Sequence, residues 1–313
     1  MNKLLVTTAL VGVAALGVTS SAQAFGGGHP WWPPHPGNGD DDCIECIDNA
    51  INLEQVFSGF QKAFNNISDV GDVTDAAQTA LNAANLISLD GIDISDVNIG
   101  EVDQEADLDQ IADNDIYASV FATLYNIEQS ATNVANVFSA PEVNDIDQDA
   151  WGYQDAFNTI EFGKGGYDAD ALYDEEGELL PTQAALNAVN MITVDQLTGQ
   201  AVQMAAVGQT AINTMSYAGG GYSPFGYGGH HGWVDVDVYD VGQTATNVAN
   251  VFSATDIVGL DCGCVSVLQD AEAAQFAANN FSGSGWSTDL TNIVQEATNI
   301  ANSISYLTPE VAE

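Results

Sequence analysis

The chain has 313 residues, with 44 acidic side chains against 3 basic ones and a formal net charge of −41 at pH 7. Binding of DNA or RNA by phosphate neutralisation needs Lys and Arg, so nucleic acid is excluded as a direct partner, and the same deficit excludes an anionic lipid surface. Hydrophobic residues at 46% and aromatics at 9% are too many for a plainly disordered chain; they point to a folded, assembly-competent protein kept soluble by self-repulsion.

Residues 1–24 have the pattern of a signal peptide: Lys3 is the charged start, Leu4 to Val18 the apolar stretch, and Ala22-Gln-Ala24 the small-residue cleavage site. Cleavage after Ala24 predicts a secreted chain, extracellular or on the cell surface. No later apolar run approaches the roughly 20 residues of a membrane helix, so no membrane span is expected. Residues 25–50 form a leader rich in Pro, Gly, His and Trp without periodicity, which reads as flexible or polyproline-like.

From residue 51 to about 308 the sequence repeats. A long element, Gln-x-Ala-x3-Gln-x-Ala-x-Asn, stands at Gln104 to Asn114, Gln148 to Asn158, Gln203 to Asn213 and Gln269 to Asn279, with a degenerate copy from Gln55 to Asn65 in which Phe57 replaces Ala. A short element, Gln-x-Ala-x-Asn-x-x-Asn, begins at Gln78, Gln129, Gln183, Gln243 and Gln295 and alternates with the long one. Together they define five imperfect units of about 50 residues, followed by a tail at 309–313. Irregular insertions fall at about 163–181 and at about 218–232, the second a Gly and aromatic loop carrying His230-His231.

The long element predicts strand, because its Gln, Ala and Asn all share one parity and therefore one face of an extended chain. On a helix the same positions point at roughly 0, 200, 240, 80 and 280°, so no helix face collects them. The short element leaves two readings open. Thr132, Val134, Thr246 and Val248 favour strand, whereas Leu81, Ala83 and Ala84, and the spacing of Ile293, Ala297, Ile300 and Ile304, also suit an amphipathic helix. The fold class expected is mainly β, a repeat-built β-solenoid or stacked-strand architecture, with an α-helical repeat as the alternative. Val234 to Asp240 alternates apolar and acidic residues as a half-buried strand would, and Ile92-Asp-Ile94 and Ile146-Asp follow the same style.

A buried primary amide without partners costs roughly 1 to 3 kcal/mol. That cost disappears when an identical amide lies about 4.8 Å above and another below, since stacked Gln or Asn side chains hydrogen-bond as ladders. Alanine between them leaves room for close sheet packing. Such repeats stack in register, either within one chain as a solenoid or between chains as a fibril, while like charges on facing strands repel and restrain association.

The cleavable leader, the acidic charge, the five repeats and the regularly placed Gln, Asn and small residues resemble curlin, the subunit of curli fibres. Cys262-Gly-Cys264 is similar to the Cys-x-Cys of Fap-type functional amyloid subunits. Curlin repeats are shorter, their Gln-x-Gly-x-x-Asn spacing differs by a residue, and the Cys pair here is not C-terminal. The resemblance implies extracellular fibres with a β-solenoid or cross-β core and a role in biofilm matrix. It implies ladder positions at Gln104, Gln110, Gln148, Gln154, Gln203, Gln209, Gln269 and Gln275 in the long elements. In the short elements it implies Gln129, Asn133, Gln243, Asn247, Gln295 and Asn299.

Other chemistry has narrower support. Four cysteines in a secreted chain suggest disulfides: Cys43 and Cys46 could pair locally, and Cys262 and Cys264 could bond that pair or another molecule. His29, His35, Cys43 and Cys46 are permissible metal ligands, but no properly spaced second pair follows. Calcium is the ion whose oxygen ligands the chain supplies, with Asp90, Asp93, Asp96 and Asn98 close together, yet the ligand order of a calcium-binding loop is absent. No Gly-x-Ser-x-Gly, His-Glu-x-x-His or phosphate-binding Gly loop occurs, so no enzyme and no cofactor are expected. The reading is a secreted structural protein whose main partner is itself, with extracellular polysaccharide or a secretion or nucleator protein as further partners. The alternative is a monomeric calcium-dependent adhesin or surface-binding module using threonines such as Thr244 and Thr246.

Overall fold

The computed structural model describes residues 50–70, 73–89, 98–118, 124–162, 182–218, 235–239, 241–258, 266–284, 287–291 and 293–306. The predicted signal peptide and leader, the two insertions, all four cysteines, the four histidines and Asp90, Asp93 and Asp96 lie outside them. Among the described residues there is no helix, and both repeat elements are strands.

The long elements are β1 (Ala50–Val70), β3 (Asn98–Ala118), β5 (Asp145–Phe162), β7 (Gln200–Ala218) and β10 (Ser266–Ser284). They form one five-stranded sheet in the order β1-β3-β5-β7-β10. The short elements are β2 (Val73–Ser88), β4 (Leu124–Val143), β6 (Thr182–Leu197), β9 (Gly242–Ile257) and β12 (Val294–Tyr306). They form the second sheet, β12-β9-β6-β4-β2. The alternating Val-Asp stretch is β8 (Asp235–Tyr239), which pairs in parallel with β11 (Ser287–Thr291).

Every pairing within the two large sheets is parallel. Each unit thus gives one strand to each sheet, and the units stack as rungs 1 to 5 from β1/β2 to β10/β12. Register follows the motif: Gln104 pairs with Gln55 and Gln148, and Gln203 with Gln148 and Gln269. Stacking is therefore intramolecular, a mainly-β repeat architecture in which the helical alternative is gone. What overrides the helix propensity of Leu81, Ala83 and Ala84 is the pairing of β2 with β4, since tertiary context outweighs intrinsic preference.

The two sheets face each other across a core in three zones. Ala80, Ala112, Ala131, Ala156, Ala185, Ala211 and Ala245 make a thin alanine zone. Beside it lies a mixed zone with Ala106, Ala150, Leu108, Val189 and Val207. At the wide end Phe138, Ile192 and Phe252 pack against Val102 and Ile146.

The last Asn of each short element produces the change of width. Asn85, Asn136, Asn190, Asn250 and Asn302 have φ between 50 and 58°, a left-handed conformation that Asn tolerates better than other side chains with a Cβ. One such residue breaks the alternation. In β4 the buried core positions before it are Ala131, Asn133 and Ala135, and after it Phe138 and Ala140.

Asn190→Ala removes three hydrogen bonds around a buried amide and places a residue without a local polar partner at positive φ. We expect it to lower unfolding free energy by about 3 kcal/mol, and Asn190→Gly to recover about 1 kcal/mol of that by relieving the backbone alone. Urea denaturation of the two variants checks the difference.

Candidate functional site: amide ladders and terminal rungs

Six columns of primary amides run through the stack. Two belong to the long strands' glutamines. In the first, Gln104 donates to Gln55 at 2.9 Å, Gln148 to Gln104 at 2.7 Å, Gln203 to Gln148 at 2.9 Å and Gln269 to Gln203 at 2.6 Å. In the second, Gln110, Gln154, Gln209 and Gln275 donate in turn to Gln61, Gln110, Gln154 and Gln209. The short strands repeat the arrangement with Gln129 on Gln78, Gln183 on Gln129, Gln243 on Gln183 and Gln295 on Gln243.

Asparagines form the other three. Asn133 donates to Asn187, Asn187 to Asn247 and Asn247 to Asn299. Gln183 and Asn187 therefore complete the short-strand columns predicted from Gln129, Asn133, Gln243, Asn247, Gln295 and Asn299. Two columns had no ladder role assigned from sequence. One is the closing Asn of the long element, Asn65–Asn114–Asn158–Asn213–Asn279. The other is the left-handed Asn of the short element, Asn85–Asn136–Asn190–Asn250–Asn302. A signal for both was present, since each Asn recurs at a fixed offset; the left-handed one breaks parity, which hid that it too faces the core.

Where the inner amides are fully used, both donors and the acceptor have partners. Gln148 donates to Gln104 Oε1 at 2.7 Å and to the carbonyl of Asn136 at 2.9 Å, and accepts from Gln203. Asn133 donates to Asn187 at 2.8 Å and to the carbonyl of Asp155 at 2.8 Å, and accepts from Asn82. In Gln148 and Asn133 one donor thus runs along the column and the other crosses to the opposite sheet. Gln104, Gln148 and Gln203 are 0% exposed; buried this completely, they carry no net cost only because every donor and acceptor finds a partner.

The outer face of the long-strand sheet carries the charge. Along β3 the outward residues are Glu101, Asp103, Glu105, Asp107, Asp109, Ile111, Asp113, Asp115 and Tyr117. Asp103 is in register with Glu54 and Asp147, Glu105 with Asp149, and Glu101 with Asp145. Burial, followed by the charges of Asp149, Asp103 and Glu101, pushes Asp147 up to about 7. Burial, followed by Asp103 and Glu105, pushes Asp149 up to about 6. Asp147 Oδ1 and Asp149 Oδ1 are buried without a hydrogen-bond partner, an arrangement that favours the protonated acid.

Other outward residues are apolar: Phe60 at 59%, Trp151 at 37%, Tyr153 at 66% and Phe276 at 57% exposure. Thr244 and Thr246 lie on the outside of β9, but their register partners in β6 are Ala184 and Leu186, so no continuous threonine array forms there. No group of three or more His, Cys, Asp or Glu among the described residues is placed to hold a metal ion. No helix of the described residues is long and apolar enough to cross a membrane. No family model, curated protein or solved structure matches this chain.

Both acids have folded-state values above the ordinary carboxylate range, so protonation favours the fold. The stability they contribute is fully present below about pH 4 and is lost as pH rises through about 6 to 7. Asp147→Asn should raise the denaturation midpoint at pH 8, leave it nearly unchanged at pH 4, and flatten the profile between. Equal effects at both pH values would contradict the assignment.

Proposed function

We propose that this chain is a secreted structural subunit that assembles into extracellular fibres of a biofilm-type matrix by continuing its own amide-laddered stack from molecule to molecule. The observation that carries the reading is the state of the ends. Among the described residues β1 and β2 pair on one side only, as do β10 and β12, so each end of the described stack presents two parallel strand edges with backbone donors and acceptors. Edges of this kind template addition of another chain unless they are blunted. A solenoid that stays monomeric closes with polar capping units, whereas the terminal rungs here keep the full amide set: Gln55, Gln61, Asn65, Gln78, Asn82 and Asn85 at one end, and Gln269, Gln275, Asn279, Gln295, Asn299 and Asn302 at the other.

The core is already dry and satisfied within one molecule, so assembly requires no refolding of the inner rungs. The acidic outer face supplies the control, since repulsion between stacks weakens when carboxylates are protonated or screened. Secretion follows from the pattern of residues 1–24, and the resemblance to curlin-type subunits points the same way.

The mature chain, purified and held between pH 4 and pH 6 or with divalent cations, should form fibres that give a meridional reflection near 4.8 Å and seed fresh monomer. Persistence as a monomer across those conditions, by light scattering and electron microscopy, would refute the reading.

A further inference from the structure

We propose that the two ends of the solenoid are complementary plates that dock head to tail, rung 5 of one molecule onto rung 1 of a second copy in unbroken register, so that the assembly has a direction. The inference rests on the assembly reading above and specifies its contact.

Direction is carried by the ladders, because the two amide types point opposite ways. Every Gln column donates toward rung 1: Gln154 to Gln110, Gln209 to Gln154, Gln275 to Gln209. Every Asn column donates toward rung 5: Asn136 to Asn190, Asn190 to Asn250, Asn250 to Asn302. The rung-5 plate therefore ends in Gln acceptors and Asn donors. Gln269 Oε1 is buried there without a partner. Asn302 accepts from Asn250 and, among the described residues, has no acceptor for its own amide hydrogens.

On the rung-1 plate Gln61, Gln78, Asn65, Asn82 and Asn85 have the inverse set. Gln61 and Gln78 each spend one amide hydrogen across the sheets, on the carbonyls of Ala83 and Asp115, leaving the ladder hydrogen to point outward. Asn65, Asn82 and Asn85 spend their ladder hydrogens inward on Asn114, Asn133 and Asn136, leaving their oxygens as outward acceptors. Continuing the register by one rung sets Gln275 against Gln61, Asn279 against Asn65, Gln295 against Gln78, Asn299 against Asn82 and Asn302 against Asn85. Donors meet acceptors in each of these columns.

The packing residues agree. Phe57, the one bulky member of its inward column, sits on Ala106 in its own chain and would meet Ala271, again an alanine. The column Ile87, Phe138, Ile192, Phe252, Ile304 ends with Ile304 at 49% exposure; the next rung covers it with Ile87.

Charge discriminates further. Inside the stack, Asp103 faces Asp147 and Glu105 faces Asp149. At the junction, Glu54 would face Leu268, Val56 would face Asp270, Ser58 would face Glu272 and Lys62 would face Phe276, so no two carboxylates oppose each other along the long-strand edge. A contact between like ends fails on geometry. It would run the strands antiparallel, and since Gln55, Gln61 and Asn65 are spaced six and then four residues apart, reversal cannot bring all three columns into line.

The test places a charge where only this register notices it. Leu268 is 56% exposed and pairs with Val202 in its own chain, so Leu268→Glu and Leu268→Lys should leave the monomer's dichroism and melting unchanged. In seeded growth at low ionic strength, Leu268→Glu should elongate about threefold more slowly than Leu268→Lys, as expected of a like against an opposite cross-strand pair with Glu54. Adding Glu54→Lys to Leu268→Glu should restore the rate. The difference should vanish at 1 M salt, where the screening length is about 3 Å. Fibres that grow with equal rates for both variants, or without rescue by Glu54→Lys, overturn the head-to-tail register and leave the assembly reading standing. A wild-type chain that makes no fibres overturns both.

Discussion

A buried primary amide has two donors and an acceptor to satisfy, and the rest of this structure follows from how that is done. Along the stack an amide can meet only a copy of itself, which satisfies one donor and the acceptor. The remaining donor has to cross the core to a carbonyl of the facing sheet, as Gln209 does to Val248 and Asn187 to Thr210. That reach sets the distance between the sheets, and the distance in turn favours small residues alongside, most strictly in the alanine zone of Ala112, Ala156 and Ala211. Parallel, in-register pairing is the one arrangement that serves all six columns at once. A slip of one residue would turn every amide to the outside.

How far this could be read from the sequence depends on parity. In the long element Gln203, Ala205, Gln209, Ala211 and Asn213 keep one parity throughout, so the strand, its inward face and its register are all legible. The short element keeps parity only as far as its first Asn. The second, such as Asn190 at φ 52°, reverses it, and a reversal inside a strand looks from sequence like the period of a helix. This is why the short element left two readings open and why its second Asn stood outside the expected ladder. The wide zone around Phe138, Ile192 and Phe252 was hidden for the same reason, since it lies beyond the reversal. Nor could spacing alone decide that stacking is intramolecular; identical rungs from one chain or from many satisfy the amides equally.

The outer surface answers to a different force. Stacking in register brings equal positions together whether or not they attract, so an acidic residue recurring at an outward position meets its own kind. Between rungs 2 and 3 this gives the pairs Asp103–Asp147 and Glu105–Asp149, each of which opposes the pairing by up to about 1 kcal/mol when ionised. The cost is met by the ladders beneath, because Gln104–Gln148 lies within the same stretch of strand and is shielded from water and salt. The result is a stack whose cohesion is inside and nearly independent of pH, with an opposing term outside that protonation removes. Lys62 is the one cation among the described residues; it stands on β1 beside the ring of Phe64 at 5.3 Å, in register with Ile111, where its charge offsets part of the upward shift that burial gives Asp113 and Asp115.

Unit lengths show which part of the repeat this physics constrains. Successive rungs of the first Gln column are separated by 49, 44, 55 and 66 residues, and those of the short-strand Gln column by 51, 54, 60 and 52. The variation falls in the connections, where added residues cost little because loop closure grows only slowly with length. Within the strands not one column loses register. A change at an inward position has to suit the rung above, the rung below and the carbonyl opposite, whereas a change in a connection has to suit none of them. Among the described residues the terminal rungs have a neighbouring rung on one side only, yet they retain every amide that the inner rungs have. Retention at a position with no neighbour on one side is what would be expected if the neighbour is supplied from another molecule, and that is the physical link between the interior of this fold and its proposed assembly.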